Sequence, residues 1–161
     1  MQDRADVRVL PPIVLLAALC FGVAVALAVP DGMLPTEGAI AIGAGVVAIS
    51  ILLVLAAVRE LRRAKTSLDV RQATSAIVTT GVFRVTRNPI YLSMVLLYAG
   101  IAFLLNSPWM LLLAIPTGSA LCLVAIKPEE RYLEAKFGEP YRAYRSAVPR
   151  WLGARSLANL R

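Results

Sequence analysis

Four apolar runs, separated by charged or turn-forming segments, organise this chain. Ile13–Val29 has 17 residues and Ala39–Val58 has 20 with no charge, while Ile90–Leu105 and Trp109–Ile126 are separated only by Asn106-Ser107-Pro108. Helical residues rise about 1.5 Å each, so about 20 of them cross a hydrocarbon layer roughly 30 Å thick. The first run is near the short limit. The third, at 16 residues, spans only with Tyr91 and its neighbours at the interface or with local thinning of the bilayer. Asn106-Ser107-Pro108 is a turn signal, so the last two runs read as a tight helical hairpin. The pattern predicts an all-α integral membrane protein, one membrane domain over 1–161, with about four transmembrane helices, a cytosolic loop and short C-terminal helices.

Composition agrees. Hydrophobic residues make up 58% of the chain and charged ones 17%, against roughly 25% charged in a soluble domain. A water-soluble core of this size could not bury so much apolar surface. The distribution of charge then gives an orientation. All 17 Lys and Arg residues fall in segments 1–12, 59–89 and 127–161, whereas the connections 30–38 and 106–108 carry none. The positive-inside rule therefore puts both termini and the 59–89 loop in the cytosol. The first run also has the layout of a signal peptide, with a basic start and Ala26-Leu27-Ala28 resembling a cleavage site; the charge pattern favours a span. The net charge of +7 flanks apolar runs instead of forming a basic domain, so it is not a nucleic-acid footprint. Cys20 and Cys122 lie far apart inside apolar runs and read as small hydrophobes, without a metal site or disulfide framework. Histidine is absent, which leaves carboxylates, tyrosines, amides or a cofactor to carry any chemistry.

Two polar segments are too patterned to be plain connectors. In the first, Gly81 permits a tight turn or close approach to a ligand, and Pro89 sits well in the first turn of the third span. Free N–H groups there, beside Arg84 and Arg87, suit a carboxylate or phosphate. Interfacial anchoring by the arginines, with Asn88 as an N-cap, explains the same residues without a ligand. In the second, Pro128 opens a helix with Glu129 and Glu130 in its first turn, Gly138 closes it, and Glu139-Pro140 starts another with Tyr141, Tyr144 and Val148 at helical spacing. An unpaired carboxylate at the membrane edge is costly, so Glu129 and Glu130 imply basic partners or a cationic ligand. An amphipathic helix on the headgroups, anchored by Trp151, is the alternative.

Taken together, the segments resemble a known superfamily. Gly81-Val82-Phe83-Arg84, Arg87-Asn88-Pro89 and Tyr91-Leu92, then Glu129-Glu130-Arg131-Tyr132-Leu133, Phe137-Gly138, Tyr141, Tyr144 and Val148-Pro149-Arg150-Trp151-Leu152 are similar to the two blocks of the isoprenylcysteine carboxyl methyltransferase and phospholipid methyltransferase superfamily. The resemblance covers roughly 66–152, a methyltransferase-like region, and gives the first two spans no signature. It implies membrane-embedded methyl transfer from S-adenosylmethionine to a small lipophilic or lipid acceptor from the bilayer, with membrane lipids as surroundings and the site on the cytosolic side. Carried over residue by residue, it marks Gly81, Arg87, Asn88, Pro89, Tyr91, Glu129 and Glu130 as cofactor-binding, with Arg84, Tyr141 and Tyr144 beside them. It assigns no catalytic residue and no metal. Many members have His where this chain has Asn88. The arginines that prenylcysteine enzymes carry before the glutamates are missing from Trp109–Ile126. A nicotinamide-dependent reductase of related fold and a non-enzymatic membrane scaffold remain the other expectations.

Overall fold

The computed structural model describes residues 9–66, 75–153 and 156. Of the residues used in the charge count, Arg4, Arg8, Arg71, Arg155 and Arg161 lie outside them. Among the described residues there are helices and no strand.

Helix α1 (Pro11–Ala28) opens on two prolines, whose missing N–H groups cost nothing in a first turn. It buries one stripe, Pro11, Leu15 and Gly22, and leaves Ile13, Leu16, Phe21 and Leu27 exposed. Helix α2 (Thr36–Arg63) exposes Ile40, Ile49, Leu52 and Leu55 in the same way. Apolar surface on this scale suits contact with lipid, not water. Both helices are long and apolar enough to cross a membrane, as is the stretch Pro108–Phe137; α3 (Pro89–Leu104) is apolar but shorter. At 16 residues, α3 reaches about 24 Å, the short third pass of a four-helix membrane bundle.

The antiparallel pair α2 and α3 is the most extensive contact in the bundle. Gly43 and Gly100 permit it. A Cβ on Gly43 would lie 2.8 Å from the backbone N of Leu104, and one on Gly100 would lie 3.0 Å from the backbone N of Val47. Backbone thus meets backbone at the crossing, as small residues allow inside membranes. Further along, the Ser50 hydroxyl donates to the Ser93 carbonyl at 2.8 Å. Gly38 and Gly45 of the same helix take no part in the crossing; both face open space.

The turn at Asn106-Ser107-Pro108 forms as the sequence predicts. Asn106 takes φ of +50°, and the N–H groups of Asn106 and Ser107 return to the carbonyls of Phe103 and Ala102, a left-handed helix stop. Ser107 then caps the next helix by accepting from Met110 N. The Asn106 amide also accepts from the N–H groups of Met33 and Leu34 and donates to the Leu34 carbonyl. That side chain ties together the two connections that lack Lys and Arg.

The fourth apolar run departs from a single regular helix. It forms α4 (Pro108–Leu112), α5 (Ala114–Leu121), a π-helical segment Cys122–Ile126 and then, without interruption, α6 (Lys127–Phe137). Proline explains both irregularities. Pro116 cannot donate to the Leu112 carbonyl, and the helix breaks at Leu113. Pro128 cannot donate to Val124, and the preceding turn widens. Gly138, at φ +59°, ends α6, and α7 (Glu139–Ala147) follows. Cys20 is exposed on α1, not buried as expected of a small hydrophobe, because it faces away from the stripe that α1 buries; Cys122 is partly buried, and both are free thiols.

Candidate functional site

Three segments meet where the basic ends of the helices gather. The first is a 3₁₀ turn, Gly81–Arg84, leading to the start of α3. Gly81 has φ of +57°, and a Cβ there would lie 2.8 Å from the Glu60 side chain, while Thr80 donates to Glu60 Oε2 at 2.6 Å. The turn is therefore latched to the end of α2. The second segment, 148–153 with Ser156, is clamped to the first at several points. Arg87 N donates to Pro149 O at 3.0 Å, Thr86 Oγ1 and Asn88 Nδ2 both donate to Arg150 O, and Ser156 Oγ donates to Val85 O. Asn88 stands at the N-cap position of α3 but does not cap it; its amide serves this clamp. From the third segment, Tyr144 on α7 donates to Phe83 O at 2.7 Å.

These connections enclose a cavity of about 480 Å³. Leu10, Pro11 and Pro12 border it on one side, and Val54, Val58 and Leu61 of α2 on another. Its polar wall comes from Arg87, Asn88, Tyr91, Glu129, Glu130 and the two α7 tyrosines. Helix α1 packs on α3, α4 and α5 and barely touches α2. The cavity therefore lies behind a seam that helix packing does not close.

The charges in the wall are sorted unevenly. Glu130 is the centre of a cationic pair: Arg87 Nη1 lies 3.1 Å from its Oε1, and Arg150 grips it in a fork, Nε to Oε1 at 3.0 Å and Nη2 to Oε2 at 2.6 Å. The fork is the geometry that suits guanidinium and carboxylate best, and it holds the Arg150 charge more firmly than usual. The Arg87 side chain is only 9% exposed. Its Nε and Nη1 find no hydrogen-bond acceptor among the described residues, since Nη1 is close to Glu130 but out of line. Buried donors without acceptors are rare and costly. Glu129 differs: it accepts from the Tyr91 hydroxyl at 2.9 Å and has no basic partner among the described residues. Burial pushes the Tyr141 hydroxyl up to about 12, with Glu130 adding to the shift, and raises Tyr144. Both tyrosines remain protonated donors at neutral pH.

The residues singled out in the sequence fall into two groups. Arg87, Asn88, Pro89, Tyr91, Glu129, Glu130, Tyr141 and Tyr144 all line the cavity, whereas Gly81 and Arg84 do not. Gly81 holds the turn against Glu60, and Arg84 is exposed. Sequence reasoning gave no role to Arg150, which holds Glu130, or to Glu60, which latches the turn. Arg150 was visible inside the Val148–Leu152 block, but its contact with Glu130 spans 20 positions. Glu60 sits among arginines and reads as a helix-end charge.

A family profile described as phospholipid methyltransferase matches residues 39–140. The chain belongs to the phospholipid methyltransferase family. The match takes in α2, which carries no readable motif, and ends at the start of α7. No curated protein and no solved structure matches the chain. For this phospholipid methyltransferase family member, membership and membrane-crossing helices together describe a membrane methyltransferase.

Proposed function

We propose that the protein transfers a methyl group from S-adenosylmethionine to a small lipophilic or lipid acceptor that enters from the bilayer. The observation that carries this reading is Arg87, buried in a mixed apolar and polar cavity with guanidinium donors unused. Such donors call for an anionic acceptor, and the cofactor's carboxylate is one. Glu129, with no basic partner among the described residues, suits its cationic groups, and the apolar wall suits its adenine face. Glu130 acts differently from the expectation that made it a direct cofactor ligand: it aligns Arg87 and Arg150.

The cofactor supplies an electrophilic methyl on a sulfonium, so the protein's share is alignment and exclusion of water. The clamp of Pro149, Arg150 and Ser156 onto 85–88 fixes the polar wall, and the tyrosines donate hydrogen bonds without taking protons. A carboxylate acceptor would need no base. An amine or hydroxyl acceptor would pass its proton to Glu129 or to water. The open seam between α1 and α2 gives a lipophilic acceptor a route from the membrane. In purified protein in detergent, labelled S-adenosylmethionine should bind and NADPH should not. NADPH binding without S-adenosylmethionine binding would replace this reading with a reductase, and binding of neither would leave a scaffold.

The reading also places the site in the cytosol, on the strength of the positive-inside pattern. With Cys20 and Cys122 replaced by Ala, a reporter at Asp31→Cys should react with an impermeant thiol reagent in intact cells. Arg142→Cys should react only after permeabilisation. The reverse pattern would invert the topology.

A further inference from the structure

On the other side of α3 from the cavity lies a second depression, of about 760 Å³. Its walls are Leu92 and Val95 of α3 and Ala114, Ile115 and Gly118 of α5. Gly118 forms its floor: a Cβ there would meet only Val95, at 3.6 Å, so the missing side chain gives the groove depth. Ile115 and Leu123 beside it are 71% and 59% exposed, and these walls face the hydrocarbon. The groove runs from Ala114 to Lys127, 13 residues along the helix axis, which is about 20 Å. That length matches one leaflet plus its interface, not a whole bilayer.

The Lys127 end of the groove has a different chemistry. Lys127, Arg150, Trp151 and Leu152 gather there. Lys127 is exposed and makes no ion pair among the described residues. Arg150 directs Nε and Nη2 to Glu130, while its remaining nitrogen, Nη1, reaches among the described residues only the Cys122 thiol, at 3.8 Å, a weak acceptor for a guanidinium. An ammonium and a guanidinium face with spare donors stand beside an interfacial tryptophan, at the end of an apolar trough one leaflet long. A glycerophospholipid has the complementary layout: an acyl chain for the trough and a phosphate for the two cations.

We infer that this groove is a binding site for an anionic phospholipid of the cytosolic leaflet, with its headgroup held by Lys127 and Arg150 and an acyl chain lying over Gly118. The site is separate from the methyl-transfer cavity. Arg150 is the wall between them, touching the lipid on one face and Glu130 on the other. Net attraction of a basic surface to anionic lipid would give no preference for this groove over the rest of the cytosolic face. Shape and local charge make the preference.

Trp151 reports on the site directly, because the chain has two tryptophans and Trp109→Phe silences the other, at the far end of the bundle. The full chain carrying Trp109→Phe is reconstituted into zwitterionic vesicles containing one-tenth brominated lipid, either anionic or zwitterionic, with bromines near the glycerol end of the acyl chain. Anionic brominated lipid should quench Trp151 at least threefold more strongly than the zwitterionic one. Lys127→Gln should remove most of that preference, whereas Arg142→Gln, an equal loss of charge elsewhere, should keep it. Gly118→Leu, which fills the trough, should reduce quenching by both lipids. Equal quenching by the two lipids in the Trp109→Phe protein would overturn the assignment without any further variant. Equal losses in Lys127→Gln and Arg142→Gln would reduce the effect to diffuse attraction and overturn it too. The readout needs no cofactor, so it stands or falls apart from the methyl-transfer reading.

Discussion

Glu130→Gln is expected to lower stability by about 3 kcal/mol, because removing one partner of a buried ion pair leaves the other charge uncompensated. Arg87 is that uncompensated charge, 9% exposed and held by Glu130. Arg150, with 35% of its side chain exposed, can turn to water and adds less. Glu129→Gln should behave differently. Its amide oxygen can still accept from the Tyr91 hydroxyl, so the fold should melt near wild type. The loss should be in cofactor affinity: a charge-assisted contact contributes about 1.5–3 kcal/mol, tenfold or more in Kd. Thermal unfolding in detergent, with calorimetric or radioligand binding on the same samples, separates the two. A stable Glu130→Gln protein that fails to bind, beside a Glu129→Gln protein that binds normally, would exchange the roles assigned here.

Arg87→Lys should leave insertion and folding intact yet weaken S-adenosylmethionine binding by about tenfold. The backbone bond from Arg87 N to Pro149 O does not depend on the side chain, and an ammonium can still neutralise Glu130. What lysine cannot reproduce is the planar fork, which lets one guanidinium face Glu130 while offering Nε elsewhere. If Arg87 were only an interfacial anchor, lysine would serve as well, since both residues snorkel to the headgroups. Asn88 provides a companion measurement. Asn88→His keeps a ring N–H for the Arg150 carbonyl and should retain binding. Asn88→Leu leaves only Thr86 Oγ1 on that carbonyl and should bind more weakly. Wild-type affinity in Arg87→Lys and Asn88→Leu alike would make this loop a plain helix start and remove the cofactor carboxylate from it.

Much of this architecture was already written along the chain. Span number and the helix stops follow from local rules: run length, the left-handed Asn106 and Gly138, and Ser107 as a cap. The proposal of a cytosolic site rests on charge alone. The two motif blocks also named most of the cavity wall, because each packs its chemistry into one short stretch, 81–91 and 129–144. Three decisions lay beyond local reading. Glu129 and Glu130 are sequence neighbours with the same side chain, yet about 100° of helical rotation points one at Tyr91 and the other at two arginines. Only the docking of 148–153 onto 85–88 brings Arg150 to Glu130. The irregular fourth pass could be suspected from Pro116 and Pro128, but whether a proline kinks, breaks or widens a helix depends on what packs around the freed carbonyl. The chain's pattern thus set where the helices run and which end carries charge, since those depend on composition over a few turns. Tertiary structure alone decided which carboxylate pairs with arginines and which with a tyrosine, since pairing depends on distances between segments far apart in sequence.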